Sequence, residues 1–269
     1  KMLRLVILPF IFFALHSQSQ RLCSPNELPF RNGEQVIYNV EYKMGKSWVS
    51  AGKARFIVKD SIYNDQSCIY VEGKGRSLQS YDWFFKVRDK YASFISKNNF
   101  KPVYFQRRVR EGDFSLDYDY NFDFNNLKSY VKERRKSFKN NDTIEIIPCS
   151  YDIMTAVYLS RAINFREQSL NDSTLLDIIL DKEIFKDVAI VYKGEKNITT
   201  QFGKKVNCIH FQIELIEGTI FKGNEKMDVF VTNDENKVPI YVEAEIIVGS
   251  IRAYAKSIKG TKEPIIYLN

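Results

Sequence analysis

Residues 113–124 read Asp113-Phe114-Ser115-Leu116-Asp117-Tyr118-Asp119-Tyr120-Asn121-Phe122-Asp123-Phe124. Every second side chain is apolar and mostly aromatic; those between are acidic or polar. A period of two sends the sets to opposite faces of an extended strand, one aromatic and one acidic. Asp117-x-Asp119-x-Asn121 matches the start of a calcium loop, but Phe122 stands where the loop's sharp turn needs glycine. No metal is expected here.

The flanks are basic. Stretch 103–111 carries Arg107, Arg108 and Arg110, and stretch 127–138 carries Lys128, Lys132, Arg134, Arg135 and Lys136. In a meander the acidic strand lies between two basic ones, and cross-strand ion pairs neutralise much of the charge. The alternative is an exposed basic strip of Arg107, Arg108, Arg134 and Arg135, facing anionic headgroups, a glycan or a protein partner.

The alternation continues in both directions. Val36, Tyr38, Val40 and Tyr42 mark one strand, and further strands are expected over 48–60, 66–73 and 81–96. Gly52 signals a bulge or a close backbone approach, and Gly73-Lys74-Gly75 reads as a short turn. Beyond residue 173, strands are expected over 174–180, 185–193, 195–200, 204–217, 226–232, 238–248 and 250–259. Pro148-Cys149-Ser150 interrupts them. Ile153, Met154, Val157, Tyr158 and Ile163 then fall near one face of a helix over 151–164, with Ser150 as its N-cap. The fold class is all-β with one principal helix. So many strands must curl into a large antiparallel barrel or half-barrel, the helix covering its open side.

With 269 residues, 44% of them apolar and 14% aromatic, the chain has ample mass for a core, which excludes a disordered tail. Lys and Arg number 40 against 33 acidic residues, a surplus too small for a nucleic-acid binder. Lys1 and Arg4 precede an apolar run over 5–15, then small residues at Ser17 and Ser19. This is the pattern of a signal peptide over 1–19, which leaves 20–269 as one exported domain, periplasmic or extracellular. Arg21 and Leu22 before Cys23 do not fit a lipid-attachment motif. No other apolar run is long enough to span a bilayer. Export places Cys23, Cys68, Cys149 and Cys208 in an oxidising compartment, with all three pairings open.

His210 is the only histidine outside the leader. It shares a strand face with Cys208 at a spacing of about 6.5–7 Å, too far for a thiol–base hydrogen bond. A metal site with Glu214 would lack clustered partners. Phosphate-loop, dinucleotide and serine-hydrolase motifs are absent, so no enzyme and no cofactor are expected. A carboxylate hydrolase would need a cleft with two close, partly buried carboxyl groups.

Several motifs carry a resemblance. Gly33-Glu34 leads into Tyr38, Val40 and Tyr42; Gly52-Lys53-Ala54 follows; Asp82-Trp83-Phe84-Phe85 precedes Asp89, Ser93 and Pro102. Tyr151-Asp152-Ile153 leads to Tyr158 and Arg161, and then come Gly194-Glu195, Thr199, Gly203, Thr232, Asp234, Pro239 and Gly249-Ser250. This order resembles the exported bacterial family called domain of unknown function 3108. The resemblance implies an exported β-rich envelope protein and supplies no catalytic residues. Its implied shape is similar to the curved half-barrels of lipoprotein carriers.

With sixteen Tyr and twenty Phe, a curved sheet can fill its core or leave an apolar cavity. The function expected is a non-enzymatic carrier of a lipophilic small molecule or envelope component, with Trp83, Phe85, Tyr118, Tyr120, Phe122 and Tyr158 as candidate lining. The alternative is an envelope assembly module. Asp60-Ser61-Ile62, Asp142-Thr143-Ile144 and Asp172-Ser173-Thr174 also resemble O-glycosylation sites at Ser61, Thr143 and Ser173.

Overall fold

The structure is a computed structural model and describes residues 19–83, 85–214, 226–246 and 249–268. The signal-peptide segment lies outside them but for Ser19, as do the ends of the expected strands 204–217 and 238–248.

The strands are β1 (Ser19–Arg21), β2 (Gln35–Met44), β3 (Ser47–Tyr63), β4 (Gln66–Ser77), β5 (Arg88–Ser96), β6 (Pro102–Glu111), β7 (Phe114–Asp123), β8 (Lys128–Arg135) and β9 (Phe138–Glu145). After β10 (Ser150–Asp152) and helix α1 (Ile153–Leu159) follow β11 (Ser173–Leu180), β12 (Glu183–Thr199), β13 (Lys205–Glu214), β14 (Lys226–Thr232), β15 (Pro239–Glu245) and β16 (Ser250–Lys259). They form one continuous sheet. Two antiparallel meanders, β2–β9 and β11–β16, are joined where β16 pairs with β2. The short β1 and β10 run parallel to β11 on its outer side. β9 and β11 do not pair, so the curved sheet stays open. The tip of the β11–β12 hairpin reaches across this gap. Asp181 pairs with Arg107 of β6, the Lys182 amide donates to the Tyr120 hydroxyl at 3.1 Å, and Lys182 Nζ meets Glu133 at 3.0 Å.

Strand β7 behaves as its alternation requires. Leu116, Tyr118 and Tyr120 are buried in the same core as Met154 and Tyr158 of α1. On the outer face Asp117 sits in register between Arg108 and Arg134. Arg110 Nη1 reaches Asp117 at 2.7 Å, Arg134 Nη2 reaches Asp119 at 3.2 Å, and Arg108 also pairs with Asp119. The acidic strand is thus neutralised by its neighbours.

Gly52 meets both expectations for it. The β2–β3 register slips between Val40 and Glu41 beside it, and a Cβ on Gly52 would come 2.6 Å from the Arg76 carbonyl oxygen. Such slips bend a sheet locally and add twist.

Four expectations need correction. Gly73-Lys74-Gly75 is no turn; it lies within β4, where the Phe56 ring covers Gly73 and Gly75 faces open space. Residues 81–83, 85 and 86 are not strand, and Val87 makes only an isolated bridge to Glu111. A 3-10 turn and the Asp82–Arg88 ion pair at 2.6 Å, tied to Ser77, fold this stretch. β9 escaped detection because it is a mostly exposed edge without apolar alternation. The helix starts later than expected, since 150–152 is extended as β10. Asp152, not Ser150, is the N-cap, accepting from the Met154 and Thr155 amides at 2.9 and 3.0 Å.

Cys23 and Cys149 form a disulfide, while Cys68 and Cys208 are free and buried. The bond ties the segment after β1 to the start of β10. Of the O-glycosylation candidates, Thr143 is exposed on β9; Ser61 and Ser173 are half-buried.

Candidate functional site

Helix α1 lies against the inner face of the sheet and divides it. Met154 and Tyr158 pack into the β3–β8 half with Phe105, Tyr118, Tyr120 and Val131, and Leu159 packs into the β11–β14 half with Leu176, Ile178 and Phe211. Ala156 and Val157 face the cavity, whose opposite wall carries Ile190, Phe211, Val229 and Val242. Because the helix offers small groups here and the wall includes Ala54 and Ala253, the space stays open. The cavity holds about 550 Å³ and its lining is predominantly aliphatic and aromatic.

One end is sealed. Arg161, in the turn after α1, makes a two-bond ion pair with Glu34: Nη1 to Oε1 at 2.5 Å and Nη2 to Oε2 at 2.9 Å. Its Nε and Nη2 also donate to the Asn236 carbonyl at 3.1 and 2.8 Å, and its plane lies over the Phe30 and Tyr158 rings. Burial alone would lower the Arg161 pKa, but the Glu34 carboxylate outweighs it and the net shift is upward. The loop that presents the Asn236 carbonyl is shaped by Asp234, which accepts from the Thr232 hydroxyl and the Asn236 and Lys237 amides.

The other end carries Tyr91, Arg107, Glu111, Asp181 and Glu214, of which Asp181 and Glu214 are exposed. Arg107 is buried, donates from Nε to the Tyr91 hydroxyl at 3.2 Å and pairs with Asp181. Burial first, and the adjacent Asp89 carboxylate second, push the Glu111 carboxyl up to about 7. Asp89 is raised too, chiefly by burial, and hydrogen-bonds Glu111. Beside the mouth, both carboxyl groups thus hold a proton more readily than free ones do.

Asp152 holds the start of α1. Besides capping, its Oδ2 accepts from Ser93 Oγ at 2.9 Å and Thr155 Oγ1 at 2.5 Å. Burial pushes its carboxyl up to about 6. Ser93 belongs to β5, so the carboxylate binds helix to sheet.

Of the expected lining residues, Tyr158 is on the cavity wall. Tyr118, Tyr120 and Phe122 lie in the packed half, ring on ring at 5.6 and 6.1 Å. Trp83 and Phe85 sit in the exposed β4–β5 connection. The four arginines do not form a strip. Arg107 turns inward; Arg108 and Arg134 pair outward with Asp117 and Asp119; Arg135 pairs with Glu133 at 2.6 Å and donates to the Tyr118 hydroxyl. Nothing in the sequence marks Ala54, Ala156, Val157, Ile190 and Val229 as cavity lining, because small and aliphatic residues on a helix or strand carry no local sign of an open space beside them.

His210 is structural. Its Nε2 bonds Asp228 at 2.6 Å and its ring stacks on Phe230 at 4.3 Å. Burial pushes the Cys208 thiol up to about 12, which makes it a poor nucleophile. Among the described residues no cluster of His, Cys, Asp and Glu could hold a metal ion, and no helix is long and apolar enough to cross a membrane.

Residues 37–256 match the family described as "Protein of unknown function (DUF3108)". The chain belongs to this family. The DUF3108 match runs from β2 into β16, so it takes in the curved sheet and α1, with Asp152 and Arg161; Glu34 and Cys23 lie before it. Among solved structures, the chain is similar to a β-barrel-like protein of the domain of unknown function DUF1849 from Brucella abortus. Identity is 10%, coverage is 87% of this chain and 100% of the other, and the TM-score is 0.58. A hypothetical protein from Chlamydia trachomatis matches at 9% identity over 89% and 93% of the two chains, with a TM-score of 0.36. No curated protein matches. The first likeness establishes a β-barrel-like fold for this DUF3108 chain.

Proposed function

We propose that this DUF3108 chain is a non-enzymatic, exported envelope protein that carries a lipophilic small molecule between α1 and the inner face of the sheet. The observation that carries the reading is the apolar cavity of about 550 Å³. Its size falls within the roughly 300–1,000 Å³ of small-molecule sites. One end is sealed by Glu34–Arg161 and the other is polar, an arrangement suited to a molecule with an apolar body and a polar terminus. Export rests on the leader-like residues 1–19, and the Cys23–Cys149 bond agrees with an oxidising compartment.

The test is titration of delipidated protein with a fluorescent apolar probe. Val157→Trp places an indole into the cavity from an already exposed helix position. The wild type takes up the probe and the variant does not. Equal uptake by both refutes the reading.

One observation favours a second reading. Asp89 and Glu111 are a close, half-buried carboxyl pair beside the cavity, as a carboxylate hydrolase would need. Because they hydrogen-bond each other, they are nearer than the roughly 5–9.5 Å separations of glycosidases. Turnover of ester or peptide substrates that disappears in Glu111→Gln would support this reading, and a flat response would dismiss it.

A further inference from the structure

The two ends of the sheet differ. Strand directions place the β2–β3, β4–β5, β6–β7 and β8–β9 turns at the same end as the β11–β12 tip, which is the polar, open end of the cavity. Each of these four turns presents a large apolar side chain to solvent: Met44 is 57% exposed, Trp83 84%, Phe85 48%, Phe114 38% and Phe138 53%. Lys46, Lys86 and Lys136 are exposed in three of these turns, and the β6–β7 turn carries the exposed Asp113 instead. None of the three makes an ion pair with a described residue. At the far end the turn tips of the same meander are Asn64-Asp65, Asn98-Asn99 and Asn125-Asn126, residues suited to tight turns, with Ile62 and Leu127 exposed beside two of them but no exposed aromatic ring among these tips.

The aromatic turns are fixed to the mouth. The Gly112 amide donates to the Lys86 carbonyl at 2.8 Å, and the Phe85 ring lies where a Cβ on Gly112 would touch it at 3.4 Å. Glu111, one residue before, lines the cavity. Aromatic and methionine side chains interleaved with lysines suit an interface whose inner layer is apolar and whose outer layer is anionic. A protein partner would need a continuous apolar patch; here the apolar groups stand on separate turns around an opening.

We propose that the open end of the sheet docks on an anionic lipid surface, with Met44, Trp83, Phe85, Phe114 and Phe138 entering the interface and Lys46, Lys86 and Lys136 meeting the headgroups. The cavity mouth then faces the membrane. The docking surface stands on the turns themselves; only its role in loading the cavity rests on the carrier reading.

The experiment is co-sedimentation with phosphatidylcholine vesicles, with and without about one-third phosphatidylglycerol. The protein sediments with the anionic vesicles and much less with the neutral ones. Trp83→Ser combined with Phe85→Ser weakens binding about tenfold. Lys46→Glu with Lys86→Glu and Lys136→Glu removes the preference for phosphatidylglycerol. Ile62→Ser with Leu127→Ser, at the far end, leaves binding unchanged. Circular dichroism melts show that each variant is folded. Absence of sedimentation at low salt, or equal loss from the far-end variant, overturns the proposal. Val157→Trp separates the two readings. If vesicles bind while the cavity takes up no probe, the carrier reading falls; if the cavity takes up probe while vesicles do not bind, the docking proposal falls.

Discussion

Arg161 and Glu34 meet in a buried two-bond ion pair at the sealed end of the cavity, 127 residues apart in sequence. Neither charge reaches solvent, so each depends on the other. Arg161→Met leaves the Glu34 carboxylate buried beside apolar rings and lowers stability by about 3–5 kcal/mol. Adding Glu34→Leu removes the orphaned charge and recovers part of the loss. Urea unfolding of the two singles and the double closes the cycle; additive losses would show that the pair is uncoupled.

The Glu111–Asp89 pair makes stability depend on pH. Glu111 titrates at about 7 in the folded chain against an ordinary value of 4.5. A raised carboxyl pKa means that the folded state holds the proton more tightly than the unfolded state does. Its contribution is therefore complete below 4.5 and is lost as pH rises through 7. Glu111→Gln keeps a hydrogen-bonding group and removes that titration, so its stability relative to wild type improves from pH 4.5 to 7. Parallel unfolding curves across this window would contradict the assignment.

Cysteine reactivity tests the covalent frame. Native protein should show no thiol accessible to an aromatic disulfide reagent, and unfolded, unreduced protein should show two, Cys68 and Cys208. Cys23→Ser with Cys149→Ser opens a loop spanning 126 residues and lowers stability by about 2–5 kcal/mol. Fewer or more than two thiols on unfolding would mean a different pairing.

Asp152 ties the helix to β5, and its substitutions separate capping from tethering. Asp152→Asn retains an oxygen that can cap the Met154 and Thr155 amides and removes the buried charge. Asp152→Ala leaves Ser93 and Thr155 without their acceptor and costs more, about 2 kcal/mol or above. Thermal unfolding should rank wild type and Asn close together and Ala well below; equal losses for both would refute the tether.

Much of this fold is written locally. The alternation in 113–124 specifies β7, its two faces and the ion pairs with β6 and β8, because strand faces follow directly from sequence parity. The cavity is not written that way. Tyr118, Tyr120 and Tyr158 all read as inward aromatics, yet only Tyr158 reaches the open space; Tyr118 and Tyr120 are covered within the β3–β8 core, while α1 packs on both halves and the cavity is lined from both. Where the space opens depends on which strands come to face the small residues Ala156 and Val157 of the short helix, which no local pattern specifies. Arg107 and Arg108 follow strand parity instead, which already sets them apart from a common strip. Adjacent in sequence, they serve opposite faces, one at the cavity and one on the outer ion-pair ladder. Glu34 and Arg161 were legible as motif residues, but their pairing across the chain was not.

The most direct test of the central claim is native mass spectrometry of mature protein exported from a bacterial host, followed by solvent extraction. A stoichiometric adduct should leave with the solvent as lipid and be missing from Val157→Trp. An adduct of equal size on Val157→Trp, or wild-type protein that stays free of any adduct and takes up no added lipid, would contradict it.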